Sequence, residues 1–471
     1  MTSLRKMEMT EANSDPRIVP LTDFSAVGTD CEDECRELQQ EIIDSPDSII
    51  ILNAEGDSIN ESSEELLIFK EYNGKYMTQK YVGVITAKNG TRFVIGSRFD
   101  KGDKQFFLRY LFEKVFSVNS RIFTDMKPEA DPEHTFDMLL MLMFMLQFGQ
   151  AVRKGIFRRY ARSEFNDSRV RGTIDIPRHI RCNMLSGEQS NGKIAYSVRE
   201  YTAANPVNLL ILKALDMMRR KYPGIVSRYT SDREIKTALQ ILGQSNPDWK
   251  SVGTRSVLRN TDRRITHTVY RGYEPLRITS RLILRHLGLN TFEQSENRTM
   301  GILLDITKLW EDYIGTFLTP AAARSGITLE AQGSFRILNG NYTLKPDFLL
   351  SSDSRKFVLD AKYVLAWSKT YNNNNNTNWT ECRDNIFQIL SYMYSLNCFA
   401  GGAVFPMQTK DNNVFKTERL SPFPKGSGAP FFMRVPIYIP LCDEYSAFSQ
   451  YMDKQSKKIA ELIYSVFENK E

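Results

Sequence analysis

Two short stretches carry residue types that can do chemistry together. They are Lys345-Pro346-Asp347 and Val358-Leu359-Asp360-Ala361-Lys362, with twelve residues between the two aspartates. Paired carboxylates offer hard oxygen ligands to Mg²⁺, which keeps several of its waters and binds through one or two carboxylates. Such a metal polarises a phosphoryl oxygen and lowers the pKa of a bound water. An ammonium beside it orients the attacking water or stabilises charge developing on phosphorus. The chemistry these types suit is phosphodiester hydrolysis. Short patterns of common residues also arise by chance, and an Asp–Lys pair on an edge strand is the plain alternative, so the surroundings decide.

Phe348-Leu349-Leu350 and Phe357-Val358-Leu359 are apolar enough to be buried strand segments, and Ser351-Ser352-Asp353-Ser354 reads as the turn between them. Such a hairpin brings Asp347, Asp360 and Lys362 to one end of neighbouring strands, with Asp360 and Lys362 on one face and Ala361 turned away. Upstream, Leu309, Trp310, Tyr313, Ile314, Phe317 and Leu318 repeat at helical spacing, leaving Glu311 and Asp312 beside the apolar stripe. Downstream, Arg383-Asp384 leads into a helix with Gln388 and Tyr392 four residues apart on one face.

Helix, hairpin and helix in this order resemble the PD-(D/E)xK nucleases, one branch of which carries a QxxxY pair after the lysine. The resemblance implies Mg²⁺ as cofactor, held by Asp347, Asp360 and the Ala361 carbonyl, with Glu311 acting directly or through water. It makes Lys362 the residue that positions water, and gives Gln388 and Tyr392 a place supporting the site or touching phosphate.

The 471 residues exceed one core, so two or three domains are expected. Hydrophobic content of 41% and charged content of 25% are those of an ordinary globular protein. Six irregularly spaced cysteines point to a reducing cytoplasm, not a disulfide framework. The four histidines lack metal-ligand spacing. The opening residues lack a basic-then-apolar pattern, so no signal peptide is expected, and the longest apolar run, Met138 to Leu146, is short of the roughly 20 residues a bilayer requires.

The net charge of +6 hides an asymmetry: residues 1–65 hold 4 Lys+Arg against 17 Asp+Glu. This arm (residues 1–64 as a domain) reads as acidic and partly disordered, above all its first thirty residues, with a short helix over Glu37–Ile43 and a strand over Ser48–Leu52. Strands follow at Glu65–Tyr72, Lys80–Thr86 and Thr91–Ile95, with Asn73-Gly74 and Asn89-Gly90 as hairpin turns. Helices are expected over Phe106–Phe116 and His134–Arg153. Residues 151–221 contain 15 Lys+Arg against 6 Asp+Glu, with Arg158, Arg159, Arg169 and Arg171 among interleaved aromatics. That pattern suits DNA phosphates as well as it suits a solvated basic face.

Gly187 to Lys193 spells GxxxxGK, yet Ile194 stands where a phosphate loop needs Ser or Thr, and Ile194–Tyr201 reads as a strand where a helix is required. No NTPase site is expected in this chain. Pro206 starts a helix, and two or three more follow to about Leu289, including Thr279–Leu287. Residues 65–295 thus form a β module and basic helical region for partner or DNA binding, and residues 296–471 the nuclease domain. The fold class is mixed α/β (α+β), with a central mixed sheet flanked by helices in the C-terminal part. The Asn372–Asn376 tract reads as a surface insertion.

Further stretches bring a narrower resemblance. Tyr81-Val82-Gly83-Val84-Ile85, Val170-Arg171-Gly172-Thr173-Ile174-Asp175 with His179-Ile180-Arg181, Glu200-Tyr201 before Asn208, Leu309 to Tyr313, the two chemical stretches through Tyr363, Arg383 to Tyr392 and Ala403-Val404-Phe405-Pro406 resemble McrC. McrC is the nuclease subunit of McrBC-type and LlaJI-like restriction systems. The resemblance covers roughly residues 65–410 and leaves out the acidic arm and the Asn tract. It implies a DNA endonuclease subunit whose amino-terminal half docks into the hexameric ring of an AAA+ GTPase motor and stimulates it, with double-stranded DNA as substrate. The hairpin at Asn89-Gly90 and the segment near Arg169 and Arg171 are candidates for reaching the partner's nucleotide site. Two other readings stay open: a non-catalytic activator of a partner NTPase, and a stand-alone nuclease.

Overall fold

Alternation and turn chemistry build the first sheet. Tyr81–Thr86 and Arg92–Gly96 pair antiparallel across a turn in which Gly90 takes φ 86°, a left-handed value glycine adopts without strain. The computed structural model describes residues 17–44, 49–52, 66–72, 74–100, 105–115, 132–185, 192–261, 263–288, 299–352, 355–364, 379–408, 416–420 and 430–468. These fall into two units, one within residues 1–117, 128–135 and 298–471, the other within 118–127 and 136–297.

In the first unit, five strands stand in the order Ile18–Thr22, Arg92–Gly96, Tyr81–Thr86, Met300–Asp305, Ile49–Leu52. The sheet therefore takes strands from the acidic arm, the β module and the start of the C-terminal segment, and the expected boundaries at 64 and 295 cut across it. Part of the arm expected to be disordered is a strand, Ile18–Thr22, paired in parallel with Arg92–Gly96. The expected short helix runs longer, over Glu32–Asp44, and packs Cys35, Leu38 and Ile42 against Phe69, Phe93 and Leu303. That apolar face at i, i+3 and i+7 is what fixes an acidic segment to the core. The strand expected at Glu65–Tyr72 is shorter, Phe69–Tyr72, and pairs with Lys75–Thr78 in a two-stranded ribbon, not with the expected next strand, which as Tyr81–Thr86 pairs with Arg92–Gly96 and Met300–Asp305. Asn73 of the ribbon's turn lies outside the described residues.

A second sheet of the same unit has the order Thr328–Ala331, Phe348–Ser352, Arg355–Ala361, Ala400–Met407, Phe431–Tyr438, Lys416–Arg419. It is mixed: the hairpin is antiparallel, whereas Ala400–Met407 runs parallel to both Arg355–Ala361 and Phe431–Tyr438. Leu349, Val358, Ala403 and Phe405 face the helix Trp379–Ser395 through Ile389 and Met393. Gly401 allows that approach, because a Cβ there would collide with the Met393 side chain. On the opposite face the Phe348 ring lies against Gly315 of the helix Ile306–Ser325, which also packs on Tyr445–Glu468.

The second unit holds the basic segment. Arg159–Asp167, Ile194–Thr202 and Thr173–Ile174 form a small antiparallel sheet. Ile194–Thr202 is the strand that excludes a phosphate loop there. Pro206–Lys221 begins with Pro206 after an Asn205 side-chain cap to the Asn208 amide, as its sequence requires. Four further helices follow before residue 289 among the described residues, where two or three were expected: Pro223–Thr230, Arg233–Ser245, Thr254–Asn260 and Tyr273–Gly288. Among the described residues no helix is long and apolar enough to cross a membrane, and all six cysteines are free. Ser351 and Ser352, expected in the hairpin turn, instead extend the strand and pair with Lys356 and Arg355; Asp353-Ser354 and the Asn372–Asn376 tract lie outside the described residues.

Candidate active site

Register sets the site. Phe348 pairs with Leu359, Leu349 with Val358 and Leu350 with Phe357, so Asp347 and Asp360 leave the hairpin at the same end. Each aspartate carboxylate accepts from a backbone amide on the other's side of the hairpin. The Asp347 amide donates to Asp360 Oδ1 at 3.2 Å, and the Ala361 amide donates to Asp347 Oδ2 at 2.7 Å. Asp360 is 1% exposed, and Lys362 Nζ forms an ion pair with its Oδ2 at 2.7 Å. The expected shared face of Asp360 and Lys362 is therefore observed, and strand alternation is its cause.

Gln388 and Tyr392 join the site through a directed chain of hydrogen bonds. Lys362 Nζ donates to Gln388 Oε1 at 2.9 Å, Gln388 Nε2 donates to the Tyr392 hydroxyl at 2.8 Å, and that hydroxyl donates to the Lys345 carbonyl at 3.2 Å. One end of the chain holds the amine and the other holds the segment leading into Asp347. Glu311 stands on the helix Ile306–Ser325, whose first turn is capped by Asp305. Neighbouring Trp310 is fully buried and directs its indole N–H at the Val404 carbonyl.

Sequence reasoning missed Gln332. Its side-chain amide donates to Glu311 Oε1 at 2.9 Å and its backbone amide donates to the Asp347 carbonyl at 2.8 Å, from φ 51°. It follows a short edge strand in a loop, where no periodicity marks it. Its φ, uncommon outside glycine, is the only local signal and belongs to the backbone.

The electrostatics are those of crowded carboxylates. Burial, the Asp360 charge and the Glu311 charge push Asp347 up to about 8. Burial likewise raises Glu311, opposed by its bond from Gln332, and burial raises Tyr392. Among the described residues no three His, Cys, Asp or Glu side chains stand together as a ready cation cage. What the site presents is two adjacent carboxylates, with the Glu311 charge felt at Asp347. Hard oxygens in that number suit Mg²⁺, which keeps waters and does not need an all-protein cage. The raised Asp347 is relieved by any cation placed among them.

Arg158, Arg159, Arg169 and Arg171 all lie in the second unit, on or beside its small sheet, and all are exposed. Arg171 donates to the Tyr196 hydroxyl at 3.1 Å and covers the Phe165 ring at 5.1 Å. A run of apolar side chains stands open beside them: Ile176 is 64% exposed, Met184 67% and Leu185 76%.

Comparison with known proteins places the chain. The half-complex refined from the tetradecameric assembly of Thermococcus gammatolerans McrB AAA+ hexamers with bound McrC is 14% identical, with a TM-score of 0.47, over 93% of this chain and 99% of that one. The cryo-EM structure of the McrBC complex from the same organism is 13% identical, with a TM-score of 0.32, over 64% of this chain and 88% of that one. No curated protein matches. The family described as McrBC 5-methylcytosine restriction system component matches residues 77–406. That stretch spans well over half of the chain and contains the hairpin and every residue of the site, so the chain belongs to the McrBC 5-methylcytosine restriction system component family.

Proposed function

We propose that the chain is the McrC-type DNA endonuclease subunit of a two-component restriction system, a Mg²⁺-dependent PD-(D/E)xK nuclease working with a hexameric McrB-like AAA+ GTPase. One observation carries the reading: at the end of one hairpin, Asp347 and Asp360 each accept from a backbone amide across the strands while Lys362 bridges Asp360 and Gln388. Asp347, Asp360 and the Ala361 carbonyl would hold Mg²⁺, with Glu311 directly or through water, and the bound ion would polarise the phosphoryl group and acidify a water.

The chain's own residues do the rest. Lys362, fixed between a carboxylate and an amide, orients the attacking water and stabilises negative charge on phosphorus. Gln388 and Tyr392 restrict the rotamers of the amine, because each donates onward along one chain of bonds that ends on the backbone. Family membership supports the restriction role. The motor partnership and the double-stranded DNA substrate follow from the resemblance to McrC, and the strand Ile194–Thr202 in place of a phosphate-loop helix agrees with an engine borrowed from a partner.

The test is co-purification with the product of the neighbouring gene, followed by cleavage of duplex DNA with Mg²⁺ and GTP or ATP. Cleavage that needs the partner and nucleotide, and is lost in Asp360→Ala with partner binding retained, is the expected result. Cleavage by Asp360→Ala at the wild-type rate overturns the site, and partner stimulation without any cleavage favours the non-catalytic activator.

A further inference from the structure

Immediately after Lys362 the chain enters an aromatic box that the proposed chemistry does not use. Tyr363 is 2% exposed and lies among Phe24, Phe99, Phe107 and Trp310, with ring centroids between 5.3 and 6.5 Å away. Arg98 sits over three of these rings, its guanidinium carbon 5.0 Å from the Tyr363 centroid, 4.8 Å from Phe24 and 5.4 Å from Phe99. Its Nη2 donates to the Tyr363 carbonyl at 3.0 Å, and the Tyr363 hydroxyl meets Ser97 Oγ at 2.9 Å.

Arg98 is itself fixed from the other side. Asp23 follows the strand Ile18–Thr22 and Arg98 follows the strand Arg92–Gly96. The parallel register of those strands, Thr22 beside Gly96, brings the two residues together. Asp23 is fully buried, accepts from the Arg98 amide at 2.5 Å and forms an ion pair with Arg98 Nε at 3.9 Å. Phe24 holds φ 46°, uncommon for a residue with a side chain, and so turns its ring onto the guanidinium. Gln408, just past the strand beside Lys362, donates to the Arg98 carbonyl at 3.0 Å.

The box touches both arms of the site. Trp310 precedes Glu311, Tyr363 follows Lys362, and the Val404 carbonyl accepts from both the Lys362 amide and the Trp310 indole. We propose that Arg98, anchored by Asp23 in the N-terminal sheet, is a positioning residue that sets where the Lys362 amine stands relative to Glu311 and the two aspartates. This rests on the nuclease reading above. Arg98 touches no candidate ligand or reacting atom and acts through Tyr363. A planar guanidinium that both stacks and donates fits this place, and an ammonium does so only in charge.

The test compares Arg98→Ala, Arg98→Lys and Asp360→Ala in the full chain assembled with its motor, cutting duplex DNA under single-turnover conditions. Arg98→Ala is expected to slow the cleavage step about 10- to 100-fold, the effect of misplacing a catalytic group by about 1 Å. DNA affinity and the Mg²⁺ concentration at half-maximal rate should stay at wild-type values, since the carboxylates remain in place. Arg98→Lys should fall between. An Arg98→Ala variant that cuts at the wild-type rate, or that loses rate and DNA affinity together, overturns the proposal while the nuclease reading stands. If Arg98→Ala does not fold, Arg98→Lys decides alone, and a wild-type rate in that folded variant overturns it. A wild-type chain that cuts nothing, or an Asp360→Ala variant that cuts normally, removes the nuclease reading and the positioning role with it.

Discussion

The hairpin ending at Asp360 and the small sheet carrying Arg171 use the same residue types in opposite ways. At the hairpin, charged side chains turn inward and find partners in the chain: Asp360 is 2% exposed at its side chain, Lys362 15%, and the pair is 2.7 Å apart. On the small sheet the ion pairs are loose and open. Arg171 and Asp167 are 60% and 41% exposed at 3.5 Å, and Arg162 is 64% exposed. Exposed pairs of that kind contribute little to stability, about 0–1 kcal/mol, and the apolar Ile176, Met184 and Leu185 beside them stand uncovered among the described residues. Inward, satisfied charge marks a place for chemistry. Outward charge with uncovered apolar surface is the pattern that the proposed contact with a partner would use.

Substitutions in the two regions should therefore separate two functions. Lys362→Ala should lower cleavage by on the order of 10²–10³ while leaving stimulation of the motor's hydrolysis at wild type. Both are read in one preparation by DNA cleavage and phosphate release. If the motor docks on this exposed apolar surface, joint Met184→Asp and Leu185→Asp should abolish its stimulation with a stability change within about 0.5 kcal/mol by thermal melting, as at other surface positions. If both sets of substitutions affect both readouts equally, the contrast fails.

A smaller effect concerns pH. Asp347 is raised from 3.8 to about 8 in the folded chain. Its protonated form is thus the one the fold favours, and the stabilisation it gives at acid pH is lost as pH rises towards about 8. Without divalent cations, melting temperature should fall across that window, and Asp347→Asn should flatten the fall. A wild-type curve that is flat, or a variant that falls as steeply, contradicts the crowding described for the site. The smallest effect is expected from Arg158→Gln with Arg159→Gln. If these side chains meet phosphates, the dependence of DNA affinity on salt should lose about one unit of logarithmic slope for each. An unchanged slope returns them to a solvated face.

Local rules made the hairpin legible. Apolar alternation, a serine-rich turn and two flanking helices are all short-range features, and they placed Asp347, Asp360, Lys362, Gln388 and Tyr392 together correctly. The first sheet was only partly legible, because Met300–Asp305 pairs with Tyr81–Thr86 more than 200 residues earlier, and no local pattern names a distant partner. An acidic arm reads as disordered by composition, yet its few apolar side chains at helical spacing bury against Phe69 and Phe93. Gln332 and Arg98 escaped for a related reason. Each acts through a contact made only after folding, from a position that periodicity leaves unmarked.

Met300–Asp305 has one more consequence. It lies inside the first sheet, between Tyr81–Thr86 and Ile49–Leu52, so a gene cut just before it would strand a hydrophobic ribbon with both edges bare, the arrangement that invites aggregation. Met300–Asp305 is thus a seam across which the chain's two ends depend on each other for a covered sheet edge.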